Sequence, residues 1–277
     1  MKFLASLVAV LTTSACLAPS DDHAEEDASL FEQAHEDNLL EPKTDGTDCS
    51  GVRVPDRSGF AKRIALTFDD GPNPATTPQV IEVLKAHRAP ATFFTNGSKY
   101  SSDAARALAA QIAADDDFVL ANHSQNHKNL AEQSSASVTS EIERTDSLIR
   151  AAGETPRYFR FPFGSSTCLT KTIVTQHNYV VTGWHIDSAD WCYAAGSGVC
   201  NKSTFKFVPD AVRDSMLGYV LTQARSTGGG ILLFHDIHAN TARSLDAVLT
   251  ALEGDGFSFV RIDDESVFPR LHGQAPM

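Results

Sequence analysis

The 277-residue sequence predicts an α/β fold built on a parallel sheet, and three observations support this. Seven short apolar runs, rich in residues that favour strands, follow one another from about residue 60. Segments of helix length separate most of these runs, and parallel strands need crossovers of that length. Ionisable residues stand at the ends of several runs, where α/β folds bind their ligands. The pattern fits either a barrel or a doubly wound sheet.

The predicted elements can be placed along the chain by their apolar pattern. The predicted strands are 64–68, 91–95, 118–121, 158–161, 179–184, 231–234 and 257–262. The predicted helices are 77–87, 102–114, 137–152, 169–177, 210–226 and 241–254. No internal repeat is present, so the units form one domain and not an array of repeats.

The first sixteen residues have the pattern of an export signal. Lys2 precedes an apolar run at 3–11 that is too short to span a bilayer as a permanent helix. Small residues then lead to Cys16, as in the signals of bacterial lipoproteins, although Thr13 stands where such signals usually have Leu. We expect residues 1–16 to be a signal peptide. The exported protein is then either a cell-envelope lipoprotein with a lipid anchor at Cys16 or a secreted or periplasmic protein.

The net charge of −12 is concentrated near the N-terminus. Residues 19–48 contain eleven acidic residues and one lysine, so the rest of the chain is nearly neutral. We expect residues 17–48 to form an acidic, disordered tether and residues 49–277 to form one folded domain. A nearly neutral domain lacks the basic surface of a nucleic-acid-binding protein, so we expect no nucleic-acid partner. We expect a monomer.

Four cysteines remain besides Cys16, an even number in a chain expected to be exported. Two disulfides are therefore expected, and three pairings are possible. In one of them, Cys192–Cys200 closes a short loop that contains glycine, and Cys49–Cys168 ties the start of the domain to its interior. Buried free thiols are the alternative. A cysteine metal site is disfavoured because no C-x-x-C pair is present.

Two motifs contain the residues of a candidate metal site. Asp69 and Asp70 end the first predicted strand, and the Gly-Pro turn that follows can separate a metal-binding carboxylate from a free one. His123 and His127 are four residues apart, and on a helical turn both imidazoles could bind one ion. Each motif alone could be an ordinary turn or a polar surface. Together they predict a site with two histidines and one aspartate.

Further candidate residues lie at or just after the ends of three other predicted strands. Arg160 precedes a Pro-Phe-Gly turn and could keep a carboxylate ionised, while the turn could offer main-chain N–H groups to an oxyanion. The segment 187–191 supplies two carboxylates and a large ring: Asp187, Asp190 and Trp191. His235 ends the sixth strand and is a candidate general acid. His238 fits an exposed loop better than an active site.

In chain order these motifs resemble those of the polysaccharide deacetylases of carbohydrate esterase family four, which share the NodB-homology domain. The motifs are TFDDGP at 67–72, HSQNH at 123–127, RFPFG at 160–164, DSADW at 187–191 and LFH at 233–235. The resemblance covers about residues 60–265 and implies a distorted (β/α) barrel with about seven parallel strands. Phe163 stands where the family often has Tyr, which matters little if the backbone N–H is the group that stabilises the oxyanion.

The resemblance also implies a role for each residue of the motifs. The implied metal ligands are Asp70, His123 and His127. The implied catalytic residues are Asp69 as general base, His235 as general acid, Arg160 as the group that orients Asp69, and Asp190 as the group that tunes His235. The implied substrate-binding residues are Phe163, Trp191, Leu233 and Asp187. The implied cofactor is one divalent ion, with Zn²⁺ favoured and Co²⁺ or Ni²⁺ as alternatives, and zinc suits nitrogen and oxygen ligands.

The expected function is metal-dependent hydrolysis of N-acetyl groups in a polysaccharide that contains N-acetylglucosamine, of the peptidoglycan or chitin type. The expected partner is therefore an acetylated glycan, and the loop 192–207 is expected to select it. One alternative is acetyl-xylan O-deacetylation on the same fold. Another is a non-catalytic glycan-binding protein, which is disfavoured because Asp69 and His235 are both present. A phosphatase or nuclease would need more cations near the metal than Arg160 provides.

Overall fold

The computed structural model describes residues 22–40 and 48–273, and of residues 22–27 it describes only the backbone. The expected signal peptide 1–16 and the expected anchor at Cys16 lie outside the described residues. Residues 17–21 and 41–47 of the expected tether also lie outside them. Within the described part, no helix is long and apolar enough to cross a membrane.

A single curled sheet organises the chain. Its strands are β1 Arg63–Asp69, β2 Ala91–Thr95, β3 Phe118–Asn122, β4 Tyr158–Phe159, β5 Val180–Val181, β6 Ile186–Asp187, β7 Gly230–His235 and β8 Ser258–Phe259. Seven of them lie side by side in the order β5-β4-β3-β2-β1-β7-β6, and β8 pairs with the start of β1. All of these pairings are parallel. The expected α/β fold, a distorted (β/α) barrel with about seven parallel strands, is confirmed.

Most of the helices lie in the segments between the strands, whereas α1 precedes β1 and α9 follows β8. They are α1 Asp22–Leu39, α2 Thr77–Ala86, α3 Asp103–Ala113, α4 Ser135–Ala152, α5 Cys168–Gln176, α6 Asp190–Ala195, α7 Met216–Thr227, α8 Ala239–Gly254 and α9 Pro269–His272. The predicted helix 210–226 is divided: a short 3-10 turn is followed by α7, whose start is capped by the Ser215 hydroxyl accepting from the Gly218 N–H. β6, α1, α6 and α9 were not predicted.

Alternation along the strands separates two layers of the core. On β1, Ile64 and Phe68 face outwards and belong to the apolar cluster formed with α2 and α8. Ala65 faces the inside of the barrel, where Phe94 and Leu233 also lie. Because side chains alternate along a strand, Asp69 leaves the end of β1 on the interior side. The sheet therefore points this carboxylate towards the axis of the barrel.

The segment 22–39 differs from the expected disordered tether. It forms α1, on which Phe31 and Ala34 are buried, so the prediction of disorder is wrong for this part of 17–48. Its last carbonyls would be unsatisfied in an isolated helix. Arg53 Nε donates to the carbonyl of Asp37 at 3.0 Å, and Arg57 donates to the carbonyl of Asn38 at 3.0 Å. Tertiary contacts therefore order an acidic segment whose composition alone favours disorder.

Two disulfides connect Cys49 to Cys168 and Cys192 to Cys200, which confirms that pairing among the three possible ones. The first closes a sequence separation of 119 residues and the second a separation of 8. The longer loop restricts the unfolded chain more strongly. Replacing Cys49 and Cys168 by Ser should lower the free energy of unfolding by about 5 kcal/mol, about twice the loss for the other pair.

Urea denaturation of the two double variants measures this difference. Thiol titration of the folded protein is the matching control, since the four paired cysteines should react only after reduction. Four thiols that react without reductant, or equal losses of stability in the two variants, would contradict the expectation.

Candidate active site

A cavity of about 770 Å³ opens at the carboxyl ends of the strands. Its lining includes a residue after each of four strands and the last residue of β7: Asp70, His127, Phe163, Trp191 and His235. Ile237 and His238 extend the wall beyond β7, and Ser203 and Thr204 come from the loop 192–207. The predicted convergence of strand-end residues in one place is therefore observed. A volume of this size is typical of ligand-binding pockets.

Asp70, His123 and His127 form a cluster that can hold a metal ion. Their ligand atoms all lie within 4.8 Å of one another. Asp70 Oδ1 is 3.2 Å from His127 Nε2 and 3.5 Å from His123 Nε2. This buried oxygen makes no hydrogen bond within the described residues. A buried carboxylate oxygen that faces two imidazole nitrogens without bonding to them fits a divalent cation with nitrogen and oxygen ligands.

The protonation states of these groups also suit a cation. His123 Nδ1 lies 2.9 Å from the carbonyl oxygen of Arg160, so Nδ1 carries the proton and Nε2 has a free lone pair. Burial, aided by His127, lowers the pKa of His123 to about 4, so the ring is neutral at neutral pH. Burial acts to raise the pKa of Asp70, but His127 and His235 outweigh it and hold the pKa below its ordinary value.

The segment from His123 to His127 is a loop and not the expected helical turn. Ser124 has φ 66° and His127 has φ 52°, both in the left-handed region. The loop is held from outside by Glu141 of α4, which accepts from the Asn126 backbone N–H at 2.7 Å and from its side-chain amide at 2.6 Å. The two imidazoles thus converge through a constrained loop. Such backbone strain is frequent at functional sites.

Asp69 is held by a buried arginine. Arg160 has no exposed surface, and its Nη1 donates to Asp69 Oδ1 at 2.7 Å and to the Thr67 hydroxyl at 2.9 Å. Its other nitrogens donate to the carbonyls of Thr182 at 3.2 Å and Gly183 at 2.9 Å. The guanidinium is therefore fixed in one orientation. It binds one oxygen of Asp69 and leaves Oδ2 available, 3.7 Å from His123 Nε2.

His235 is held by Asp190 in the same way. Its Nδ1 lies 2.7 Å from Asp190 Oδ1, while Asp190 Oδ2 accepts from the His235 backbone N–H and the Thr241 hydroxyl, both at 2.7 Å. Burial acts to lower the pKa of His235, but Asp190 outweighs it and raises the pKa to about 10. Since Nδ1 is occupied by Asp190, Nε2 is the ring nitrogen left for a ligand. His235 is a protonated imidazolium at neutral pH.

The residues expected to bind substrate divide into two groups. Phe163 and Trp191 line the cavity, and Phe163 has φ 57°. Leu233 and Asp187 do not reach its wall. Leu233 has no exposed surface and faces the barrel interior. Asp187 accepts from the Ala189 N–H at 2.7 Å, and burial raises its pKa to about 6. Leu233 is two residues before His235 on β7, so alternation places it among the interior apolar residues.

Asp236 packs behind the loop that contains Asp70, a role that the sequence did not predict. Its carboxylate accepts from the Thr77 hydroxyl at 2.5 Å, and its backbone carbonyl accepts from the Thr76 hydroxyl at 2.5 Å. Burial, aided by Asp70, raises the pKa of Asp236 to about 7. A Cβ added at Gly71 would lie 2.3 Å from an Asp236 carboxylate oxygen. Gly71 is therefore required for the close approach of the Asp70 loop to β7.

Gly71→Ala should displace this loop and with it Asp70. We expect a loss of stability of about 2 kcal/mol from overpacking, together with a weakened metal site. Thermal unfolding and metal stoichiometry measure the two effects. Gly254→Ala is the control, because a Cβ there meets nothing within 4 Å. Wild-type metal binding and stability in Gly71→Ala would show that the loop can accommodate a Cβ at this position, contrary to this expectation.

Comparison with known proteins places this site in a family. The sequence profile described as polysaccharide deacetylase matches residues 56–182. A chitooligosaccharide deacetylase of Bradyrhizobium sp. is 31% identical over 227 residues, which cover 76% of this chain and 91% of the relative. The chain belongs to the polysaccharide deacetylase family. The family match contains Asp70, His123, His127 and Arg160, whereas Asp190 and His235 follow residue 182 and join the site through the fold.

Two further similarities agree with this family. The peptidoglycan-N-acetylglucosamine deacetylase PgdA of Listeria monocytogenes is 33% identical over 218 residues, covering 78% of this chain and 41% of the Listeria protein. The chain thus spans about two fifths of the length of that relative. The structure of the peptidoglycan deacetylase PdaC from Bacillus subtilis superposes with a TM-score of 0.60 at 29% identity, covering 77% of this chain and 93% of that one.

Proposed function

We propose that this polysaccharide deacetylase is a metal-dependent hydrolase that removes N-acetyl groups from glycans containing N-acetylglucosamine, of the peptidoglycan or chitin type. The supporting observation is the arrangement at one cavity of a carboxylate held by Arg160, a two-His-one-Asp cluster and a protonated histidine. The names of the Listeria and Bradyrhizobium relatives point to the same class of glycan.

Asp70, His123 and His127 would hold the metal. A divalent ion bound there supplies Lewis-acid activation of water and of an acetyl carbonyl. Zn²⁺ is the first candidate because it accepts two imidazoles and one carboxylate in an open site, and Co²⁺ and Ni²⁺ are alternatives. His123 and His127 would contribute ring nitrogens, and the ionised Asp70 would lower the net charge of the occupied site.

Asp69 takes the role of general base. Its Oδ1 is bound by Arg160, which favours the ionised carboxylate, and Oδ2 is left to accept a proton from the attacking water. All three guanidinium nitrogens of Arg160 donate hydrogen bonds to oxygen atoms of the protein, so Arg160 is not placed to bind the substrate directly. Arg160 is thus a positioning residue that acts through Asp69.

His235 takes the role of general acid. An amine leaves an acetamide only when it is protonated, so the departing sugar nitrogen needs a proton donor. Asp190 keeps a proton on His235 at neutral pH, and Nε2 delivers it while Nδ1 stays bound to Asp190. Phe163 and Trp191 would line the space for the acetyl group, and the backbone N–H of Phe163 would stabilise the oxyanion. Leu233 and Asp187 would support this wall from behind.

O-deacetylation of acetyl-xylan is the second candidate function. A sugar hydroxyl is a better leaving group than an amine, so it depends less on a strong proton donor. The ion pair of His235 with Asp190 is the observation that favours the amide.

We also propose an exported protein in the cell envelope, which the two disulfides suit. The lipid anchor at Cys16, the monomeric state and the absence of a nucleic-acid partner stay predictions.

Acetate release from three substrates tests the proposed function: tetra-N-acetylchitotetraose, peptidoglycan and acetyl-xylan. New primary amines are counted in the same reactions, because amide hydrolysis yields one amine for each acetate. We expect equal amounts of acetate and amine from at least one of the first two substrates. Acetate from acetyl-xylan alone, with no new amine, would contradict N-deacetylation and support the ester reaction.

A further inference from the structure

Helix α1 forms the outer wall of the active-site cavity. Four of its residues line the cavity together with the site residues described above: Ala28, Ser29, Phe31 and Glu32. This helix precedes the part of the chain that matches the family profile, which begins at residue 56. The barrel therefore does not supply this wall itself. An additional segment of the same chain supplies it.

The Phe31 ring contacts three residues of the site at once. It stacks on Trp191 with ring centroids 4.7 Å apart and an interplanar angle of 18°. It meets Phe163 and His235 edge-on, in each case with centroids 5.9 Å apart. These three residues follow or end β4, β6 and β7. Phe31 thus occupies the space between three strand ends, beside the proposed proton donor.

Phe31 fills this space and does not present a surface for a sugar. An aromatic residue that stacks on a sugar must keep one face open in the free protein. Phe31 is only 8% exposed, and one of its faces is covered by Trp191. The same stack covers a face of Trp191. A glycan residue therefore cannot lie on either ring at this interface while Phe31 is in place.

Contacts that do not involve Phe31 hold α1 in position. Lys206 Nζ lies 3.0 Å from a carboxylate oxygen of Glu36 and 3.3 Å from one of Glu32. The His35 ring packs on Phe207 with centroids 4.2 Å apart. Lys206 and Phe207 belong to the loop 192–207, so this loop holds the wall that narrows the site. Since these contacts do not involve Phe31, its ring can be shortened while the helix keeps its other attachments.

We propose that Phe31 is a specificity-determining residue that excludes continuous glycan chains from the face of Trp191 and restricts the enzyme to short oligosaccharides and chain ends. The inference rests on the proposed deacetylase function. A cavity of about 770 Å³ remains beside Phe31 and reaches Asp70, His127 and His235. This volume suits a ligand of disaccharide size. A chain that continued across the face of Trp191 would meet Phe31 and the wall formed by α1.

Phe31→Ala, with the milder Phe31→Leu, tests this restriction. The measured quantity is kcat/KM for acetate release from di-N-acetylchitobiose and from glycol chitin, a soluble polymer. Phe31→Ala should raise kcat/KM on the polymer relative to the disaccharide by about tenfold, and Phe31→Leu by less, since loss of a steric block of this size is worth about that factor. Gln33→Ala is the control, because this side chain is exposed and donates a hydrogen bond to Asp37 of its own helix.

Acrylamide quenching of tryptophan fluorescence supplies a readout that is independent of catalysis. Trp184 is only 2% exposed, so quenching reports mainly on Trp191. Quenching should increase in Phe31→Ala and stay unchanged in Gln33→Ala. An unchanged substrate ratio in active variants, or an equal fall on both substrates, overturns this inference alone. If wild type and variants release acetate from neither glycan, the inference is overturned, and the proposed function fails with it only if peptidoglycan also yields no acetate.

Discussion

Asp69→Asn is expected to lower kcat for acetate release by about 10³-fold, a typical effect of removing a general base. Asparagine has the same shape but cannot take the proton of the attacking water. Arg160 can still donate to the side-chain oxygen at this position, so the buried guanidinium keeps a partner. The cluster of Asp70, His123 and His127 is unchanged. The variant should therefore bind metal with the wild-type stoichiometry.

Initial rates and metal content measured on the same preparation separate the two roles of the adjacent aspartates. Asp70→Asn should lose metal as well as activity, whereas Asp69→Asn should lose activity alone. Asp116→Asn is a control for the loss of one negative charge at an exposed position. Near wild-type turnover in Asp69→Asn would show that another group is the base.

Asp190→Asn is expected to move the basic limb of the pH profile of kcat/KM to lower pH. The acid must be protonated, so activity is present below the pKa of His235 and is lost as the pH rises through it. Asp190 raises this pKa, which is about 10 in the folded protein. Without the carboxylate charge the pKa falls towards its ordinary value near 6.5, so activity at pH 8 should drop by about tenfold or more.

Thr241→Val provides a graded comparison for this prediction. The Thr241 hydroxyl donates to Asp190 Oδ2 at 2.7 Å, and its loss leaves the charge of Asp190 in place. The basic limb of Thr241→Val should therefore move much less than that of Asp190→Asn. Identical pH profiles for Asp190→Asn and wild type would show that His235 is not the acid whose titration limits turnover.

The positions of the site residues follow from the strand pattern of the sequence. β1 and β7 are mostly apolar, and each ends at an ionisable residue, Asp69 and His235. Parallel strands bring such ends to one edge of a sheet, so convergence could be predicted without knowing a contact. The residues that line the cavity wall could not all be predicted in this way. Leu233 was expected at the substrate, yet alternation along β7 places it inside the barrel.

Two features could not be predicted because they depend on contacts between distant segments. Helix α1 is strongly acidic and has no basic residue in its last turn, so composition favours disorder. Its order depends on contacts with distant residues: Arg53 and Arg57 satisfy its last carbonyls, and Lys206 pairs with Glu32 and Glu36. The role of Asp236 could not be predicted either. Gly71 follows β1 and Asp236 follows β7, and their close approach is known only once the two strand ends are placed side by side.

The metal requirement of acetate release is the most direct test of the central claim. Protein stripped with dipicolinate should not release acetate from tetra-N-acetylchitotetraose, and added Zn²⁺ should restore the rate in proportion to bound metal up to one ion per chain. The same titration of His127→Ala should restore little activity, because one of the three ligands is missing. Full turnover by the metal-free protein would contradict the account.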